Sequence, residues 1–159
     1  GLDLLGRIPH VRRLRIHSRL PIMIPQRVTD SLLDVLRGAP RTVLLVVHVN
    51  HRREIDEAVA AGFQRLRQTG IPVLSQSVLL RGVNDSVESL AELFEALADC
   101  GVIPYYLHQL DRVAGAAHFE VPEPDGRTLV RRLRELLPGY AVPRYVRERA
   151  GAAFKEPLE

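Results

Sequence analysis

Short apolar runs begin near residues 11, 43, 71 and 102, so a strand-like segment recurs about every 30 residues, the length of one strand–helix unit. Val11 to Ile16 alternates apolar and basic residues, as a short strand does. Val43 to Val47 is a continuous, largely β-branched run, the pattern of a strand buried on both faces. Ile71 to Leu74 and Val102 to Leu107 read as two more, and Tyr140 to Val146 as a fifth, interrupted by proline. The gaps carry helical signals. Thr29 can cap a helix that presents Leu32, Leu33 and Leu36. Ile55, Ala58, Val59, Gly62, Phe63 and Leu66 share one helical face, with Gly70 placed as a C-cap glycine. Asp85 and Glu88 resemble a capping box ahead of Leu90, Phe94 and Leu97. A last helix is expected from about Thr128 to Leu137, ended by Pro138-Gly139.

Alternating strands and helices imply an α/β fold with a parallel sheet. A closed eight-unit barrel takes about 250 residues. The 159 residues here hold four or five units, so the expected architecture is a partial, TIM-like (β/α) barrel. Gly1 to Leu5 reads as the end of a helix that starts further upstream. The expected division is 1–146 as strand–helix units and 147–159 as a tail.

Charge narrows the function classes. The net charge is +3 with a pI near 9.5, yet the arginines are spread along the whole chain. Arg131, Arg132 and Arg134 interleave with Leu129, Val130, Leu133 and Leu136, the pattern of a solvated helix face, so nucleic acid is not the expected partner. Cys100 is the sole cysteine, which rules out an intrachain disulfide and suits a reducing cytoplasm. One thiol also cannot hold an iron–sulfur cluster, which takes about three or four. No apolar run approaches the ~20 residues of a membrane span.

Of the 22 basic residues, only Lys155 is lysine. A chain that uses arginine everywhere else has kept one amine that can deprotonate and attack a carbonyl. In parallel barrels the chemistry gathers where strands end. Here each strand end is polar: His17-Ser18-Arg19, His48 with Asn50 and His51, Ser75-Gln76-Ser77, His108-Gln109 with Asp111, and Arg147-Glu148. His48-Val49-Asn50-His51 matches no zinc spacing, and no metal ligand is assigned. Asp111 and Glu148 are a carboxylate pair suited to acid–base work or to holding a cation, if arginines do not claim them. Small residues from Gly151 to Ala153 would let the backbone approach a phosphate near Lys155.

Several segments together carry a family resemblance. They are Ile8-Pro9-His10-Val11-Arg12-Arg13-Leu14-Arg15-Ile16-His17, His48-Val49-Asn50-His51, Gln76 to Asp85, Pro104-Tyr105-Tyr106-Leu107-His108-Gln109-Leu110-Asp111, Gly115 to Phe119, and Gly151 to Lys155. The chain resembles the lysine 2,3-aminomutase family of radical S-adenosylmethionine enzymes, and most closely the branch that β-lysylates elongation factor P. The resemblance implies a barrel that binds a 4Fe–4S cluster, S-adenosylmethionine and pyridoxal phosphate and converts L-lysine to (R)-β-lysine. By position, Lys155 is similar to the lysine that bonds pyridoxal phosphate. Asp111 and Glu148 are similar to the carboxylates that hold the substrate's ε-ammonium, the second being glutamate in the elongation-factor branch. His48, Gln76 and Asn50 resemble S-adenosylmethionine contacts, and by the same resemblance His108 is expected to pack by the pyridoxal ring. Arg52 replaces the proline that follows the His-Asn-His segment in the family. The cluster's CxxxCxxC motif and the phosphate-binding arginines are absent, so the chain is expected to be the C-terminal half of the barrel, inert without its missing N-terminal half. A metabolic lysine or glutamate 2,3-aminomutase, and a non-catalytic basic RNA-binding half-barrel, stay open as alternatives.

Overall fold

Five parallel strands stand side by side in the order in which they occur in the chain. In the computed structural model, which describes residues 1–110 and 115–159, a short helix α1 (Leu2–Gly6) leads into β1 (Arg13–Ser18). Then follow α2 (Leu20–Met23), α3 (Asp30–Arg37), β2 (Thr42–His48), α4 (Glu57–Arg67) and β3 (Val73–Leu79). The chain continues through α5 (Val87–Asp99), β4 (Ile103–Gln109), α6 (Glu123–Leu136), β5 (Arg144–Arg147) and a two-residue β6 (Glu156–Pro157). The sheet order is β1-β2-β3-β4-β5-β6, parallel except for the antiparallel β5–β6 pair. A doubly wound sheet reverses its strand order partway, whereas a barrel adds each strand beside the last. This sheet does the latter and is a partial barrel.

Strand alternation fixes where the helices lie. Val43, Leu45 and Val47 of β2, Val73 and Leu79 of β3, Leu107 of β4 and Tyr145 of β5 join one apolar cluster with residues of α3, α4, α5 and α6. All have the same parity along their strands, so these helices cover one face. α5 shows what holds them. Val87, Leu90, Leu93, Phe94 and Leu97 are almost wholly buried. At about 1.5–3 kcal/mol for each large apolar side chain, that packing outweighs any helix propensity.

Local chemistry sets the helix starts. Thr29 Oγ1 accepts from Leu32 N at 3.2 Å, as the sequence suggests. Asp56 Oδ1 accepts from Val59 N at 2.8 Å. α5 is capped one residue later than the Asp85–Glu88 spacing implies. Ser86 Oγ takes Ser89 N, and Asp85 instead accepts from Gly82 N in the preceding turn. α6 begins five residues before Thr128, because Pro122 and Pro124 set its first turn. β3 also runs further than its apolar run, through Ser75, Gln76 and Ser77. Ser77 Oγ can be buried there because it donates to Val49 O at 2.5 Å.

Two details tie the last strand down. Tyr145 lies against Gly126, where an added Cβ would sit 2.1 Å from the tyrosine hydroxyl, so only glycine lets β5 pack on α6. The Tyr145 hydroxyl donates to Gln109 Oε1, and Gln109 Nε2 donates to Val121 O at 2.7 Å. The tail then folds back. Leu158 N donates to Tyr145 O at 2.9 Å, and the Leu158 side chain is buried. Glu159 pairs with Arg131 and Arg134. Among the described residues no helix is long and apolar enough to cross a membrane.

Candidate active site on the open face of the sheet

Among the described residues no helix covers the other face of the sheet, and its side chains form rows across the strands. Pairing puts His48 beside Gln76, Gln76 beside Tyr106, and Tyr106 beside Arg144. The next row runs Val78, His108 and Val146. Arg15 and His17 of β1 share this face by alternation. A register shift between Ser75 and Gln76 leaves an extra residue on β4. This bulge brings two consecutive tyrosines together, with ring centroids 4.0 Å apart and hydroxyls 3.3 Å apart. In a regular strand they would point to opposite faces.

Lys155 enters this face from the tail. Its Nζ lies 5.6 Å from the centre of the Tyr106 ring and 3.3 Å from Glu148 Oε2. Arg144 stands 5.9 Å over the Tyr105 ring. Lys155, Arg144 and Tyr106 line one hollow of about 600 Å³. His48, Gln76, His108 and Glu148 line an adjoining hollow of about 300 Å³. The sequence-derived residues Lys155, Glu148, His108, His48 and Gln76 therefore converge on one connected face. Asp111 lies outside the described residues.

Asn50 anchors the ends of two strands. Its Oδ1 accepts from Val78 N at 2.9 Å, and its carbonyl accepts from Asn84 Nδ2 at 2.8 Å. Asn84 is fully buried; it also donates to Val78 O and accepts from Leu80 N. The two asparagines latch the loop after β2 to the end of β3, which holds His48 and Gln76 at neighbouring strand ends. Sequence reading passed over Asn84, Tyr105, Tyr106 and Arg144 as individuals. Alternation along β4 and β5 was the signal available for Tyr106 and Arg144.

The electrostatics suit an anionic or electron-rich ligand. His17 Nδ1 and His48 Nε2 are 3.4 Å apart. Burial lowers the pKa of both below the usual histidine value, and nearby cations lower it further: Arg15 and Lys155 for His17, Arg19 and Lys155 for His48. Both rings are thus neutral at pH 7, and the pair shares one hydrogen. The same cations oppose a metal ion between the rings, and the described residues contain no group of three or more metal-ligating side chains. The hydroxyl contact with Tyr105 raises the Tyr106 pKa, burial adds to it, and Arg144 and Arg15 pull the other way.

The residues present fit two organic groups. Gln76 is buried, yet among the described residues its amide has no hydrogen-bond partner, which leaves donor and acceptor free toward the hollow. A primary amine over an aromatic ring beside Arg144 suits an aldehyde that carries an anionic arm. The chain's residues do not fit an iron–sulfur cluster. Cys100 follows α5 in an acidic groove shared with α4, among Glu92, Glu95 and Asp99 and away from the open face. Burial raises its thiol pKa.

The fold recurs in radical S-adenosylmethionine proteins. The structure of SuiB from Streptococcus suis bound to S-adenosylmethionine superposes over 95% of this chain and 44% of its own, with a TM-score of 0.61 and 12% identity. A radical SAM methyltransferase from Sphaerobacter thermophilus matches 74% of this chain and 38% of its own, with a TM-score of 0.56 and 22% identity. The class of fold is therefore a partial (β/α) barrel of the kind found in those structures.

Sequence narrows the class further. The chain is 49% identical to an Escherichia coli protein named L-lysine 2,3-aminomutase, over 99% of this chain and 46% of the relative. It is 41% identical to the Clostridium subterminale protein of that name, over 97% of this chain and 37% of the relative. Over nearly its whole length the chain is thus similar to proteins named L-lysine 2,3-aminomutase. The chain spans a little under half the length of the curated relatives it matches. No protein-family model matches it.

Proposed function

We propose that this chain supplies the cofactor-lysine half of a pyridoxal phosphate- and S-adenosylmethionine-dependent L-lysine 2,3-aminomutase. The observation that carries the reading is the place of Lys155, the chain's one lysine. It lies on the open face over Tyr106, within the ring of strand ends that also presents His48, Gln76, His108 and Glu148.

Each residue has a definite task. Lys155 offers the amine that bonds the cofactor aldehyde. Tyr105, Tyr106 and His108 form the aromatic wall against which a flat ring rests. Arg144 neutralises an anionic arm. Gln76 and neutral His48 bind the polar groups of S-adenosylmethionine, and His17 fixes which nitrogen of His48 carries hydrogen. Glu148, with Asp111, receives the ammonium at the far end of the lysine substrate, because a carboxylate there rejects neutral tails. Pyridoxal phosphate supplies a π system that spreads electron density from the reacting carbon. The chain's own contribution is to clamp both ends of the substrate, so that one carbon–hydrogen bond meets the reactive centre.

Glutamate at position 148 is the feature that favours (R)-β-lysine for elongation factor P over free lysine metabolism. The lone thiol, Cys100, leaves the cluster ligands to a segment outside these residues. By itself the chain therefore binds the organic cofactor without cleaving S-adenosylmethionine.

Trapping tests the core of this reading. The chain is mixed with stoichiometric pyridoxal phosphate, reduced with borohydride and mapped by peptide mass spectrometry. The expected product is a single pyridoxyl adduct on Lys155, absent from Lys155→Arg. An adduct confined to the α-amino group overturns the proposal.

A further inference from the structure

The Lys155–Glu148 ion pair follows from strand register. β6 returns antiparallel to β5, with Val146 opposite Pro157 and Arg147 opposite Glu156. One more step in that register puts Glu148 opposite Lys155, where the pair closes at 3.3 Å. Arg149 and Glu156 brace the same turn at 2.7 Å, and the connecting loop bends through Gly151 at φ +77°. The side chain of Lys155 is mostly covered, at 22% exposure, while Glu148 remains 68% exposed. The carboxylate assigned to a ligand's ammonium thus already holds a cation from its own chain, and that cation stands where a second one would be repelled.

We propose that Glu148 is a shared counter-ion: Lys155 holds it in the empty protein and yields it to a ligand's ammonium group only once an aldehyde has taken the lysine amine. This rests on the reading that Lys155 bonds the aldehyde and Glu148 receives an ammonium. The step balances. The lysine nitrogen forms a double bond to the aldehyde carbon, the carbonyl oxygen leaves as water, and the positive charge stays on nitrogen. An ammonium has three N–H donors, whereas the product nitrogen has one. In an aromatic o-hydroxyaldehyde that one hydrogen is drawn to the ring's own oxygen, whose ionised form offsets the charge. Glu148 is then left without a partner and ready for the next cation. Binding is ordered, aldehyde first and diamine-type substrate second, and the empty site turns cationic ligands away.

The test uses n-pentylamine, a bare alkylammonium, and calorimetry on the 159-residue chain without aldehyde. Lys155→Met should bind it at least about threefold more tightly than the unaltered chain at low salt, with the gain fading at high salt, as expected for a partly exposed pair. Lys155→Arg keeps the cation and should bind as weakly as the unaltered chain. Adding Glu148→Gln to Lys155→Met should erase the gain. Slow exchange of the Leu158 amide confirms that the tail stays docked, and Lys155→Gln serves if the methionine variant frays. If Lys155→Met gains nothing while Glu148→Gln still weakens binding, the exchange is wrong and Glu148 remains an ammonium site. If Glu148→Gln changes nothing in any background, the assignment of Glu148 to the ligand also falls.

Discussion

The two faces of this sheet are built from the same strands and do opposite work. On β4, Leu107 is fully buried beneath the helices, while its neighbour His108 looks across the open hollow. On β5, Tyr145 is sealed between Gly126 and Gln109, while Arg144 stands free enough to lie over Tyr105. On the covered face Ser77 and Gln109 are buried with their polar atoms paired, while Ser75 Oγ is buried there without a partner among the described residues. Among the described residues the open face leaves Gln76 without a partner and gathers arginine, histidine and lysine with few carboxylates. One face stores stability; the other gathers charge. If that division holds, neighbouring residues on one strand should give very different mutational profiles.

The largest contrast is expected on β4. Leu107→Ala should cost about 2–5 kcal/mol in denaturant unfolding, because it opens a cavity in the covered core, while His108→Ala should cost less than about 1. Comparable losses at both sites would erase the distinction between faces. Next comes Gly126→Ala, whose new methyl must displace the Tyr145 ring. A loss of about 1–3 kcal/mol in unfolding is expected, together with weaker Lys155 trapping, since the tail hangs from Tyr145 O.

Tyr145 sharpens the comparison through pH. Burial, with Glu123 adding to it, pushes its hydroxyl up to about 12 from 10. The folded chain therefore keeps this proton when the unfolded chain has lost it. The associated stability, on the order of 3 kcal/mol, is complete below pH 10 and disappears as pH climbs toward 12. Thermal melts of Tyr145→Phe should be lower at neutral pH and should lack much of the alkaline decline.

The smallest effect belongs to the open face. His17 and His48 bind protons less readily in the fold than in the unfolded chain. Their contribution is present above pH 6.5 and drains away as pH falls below it. Replacing both with asparagine should flatten that acid limb slightly in melts recorded from pH 7 to pH 5. A steeper limb in the variant would contradict neutral rings.

Periodicity alone made the strand–helix order legible, because a buried strand and an amphipathic helix each write their spacing into a short stretch of chain. The apolar runs at Val43 and Val102 located β2 and β4 to within a residue or two. Amino-acid chemistry marked the candidate site residues: a single lysine among arginines, and polar residues wherever a strand ended. β3 was read too short because its second half is serine and glutamine, and the distant carbonyl that pairs with buried Ser77 is recorded in no local pattern.

What the sequence determined is therefore the order of the elements and the supply of reactive groups. The tertiary structure alone decided which groups meet. The bulge that pairs Tyr105 with Tyr106, the asparagine latch of Asn50 and Asn84, and the antiparallel return that sets Lys155 against Glu148 all join residues on different elements or depend on their register. Register is chosen by the whole sheet closing against its helices, so a partner across the sheet cannot be read from the residues on either side of it.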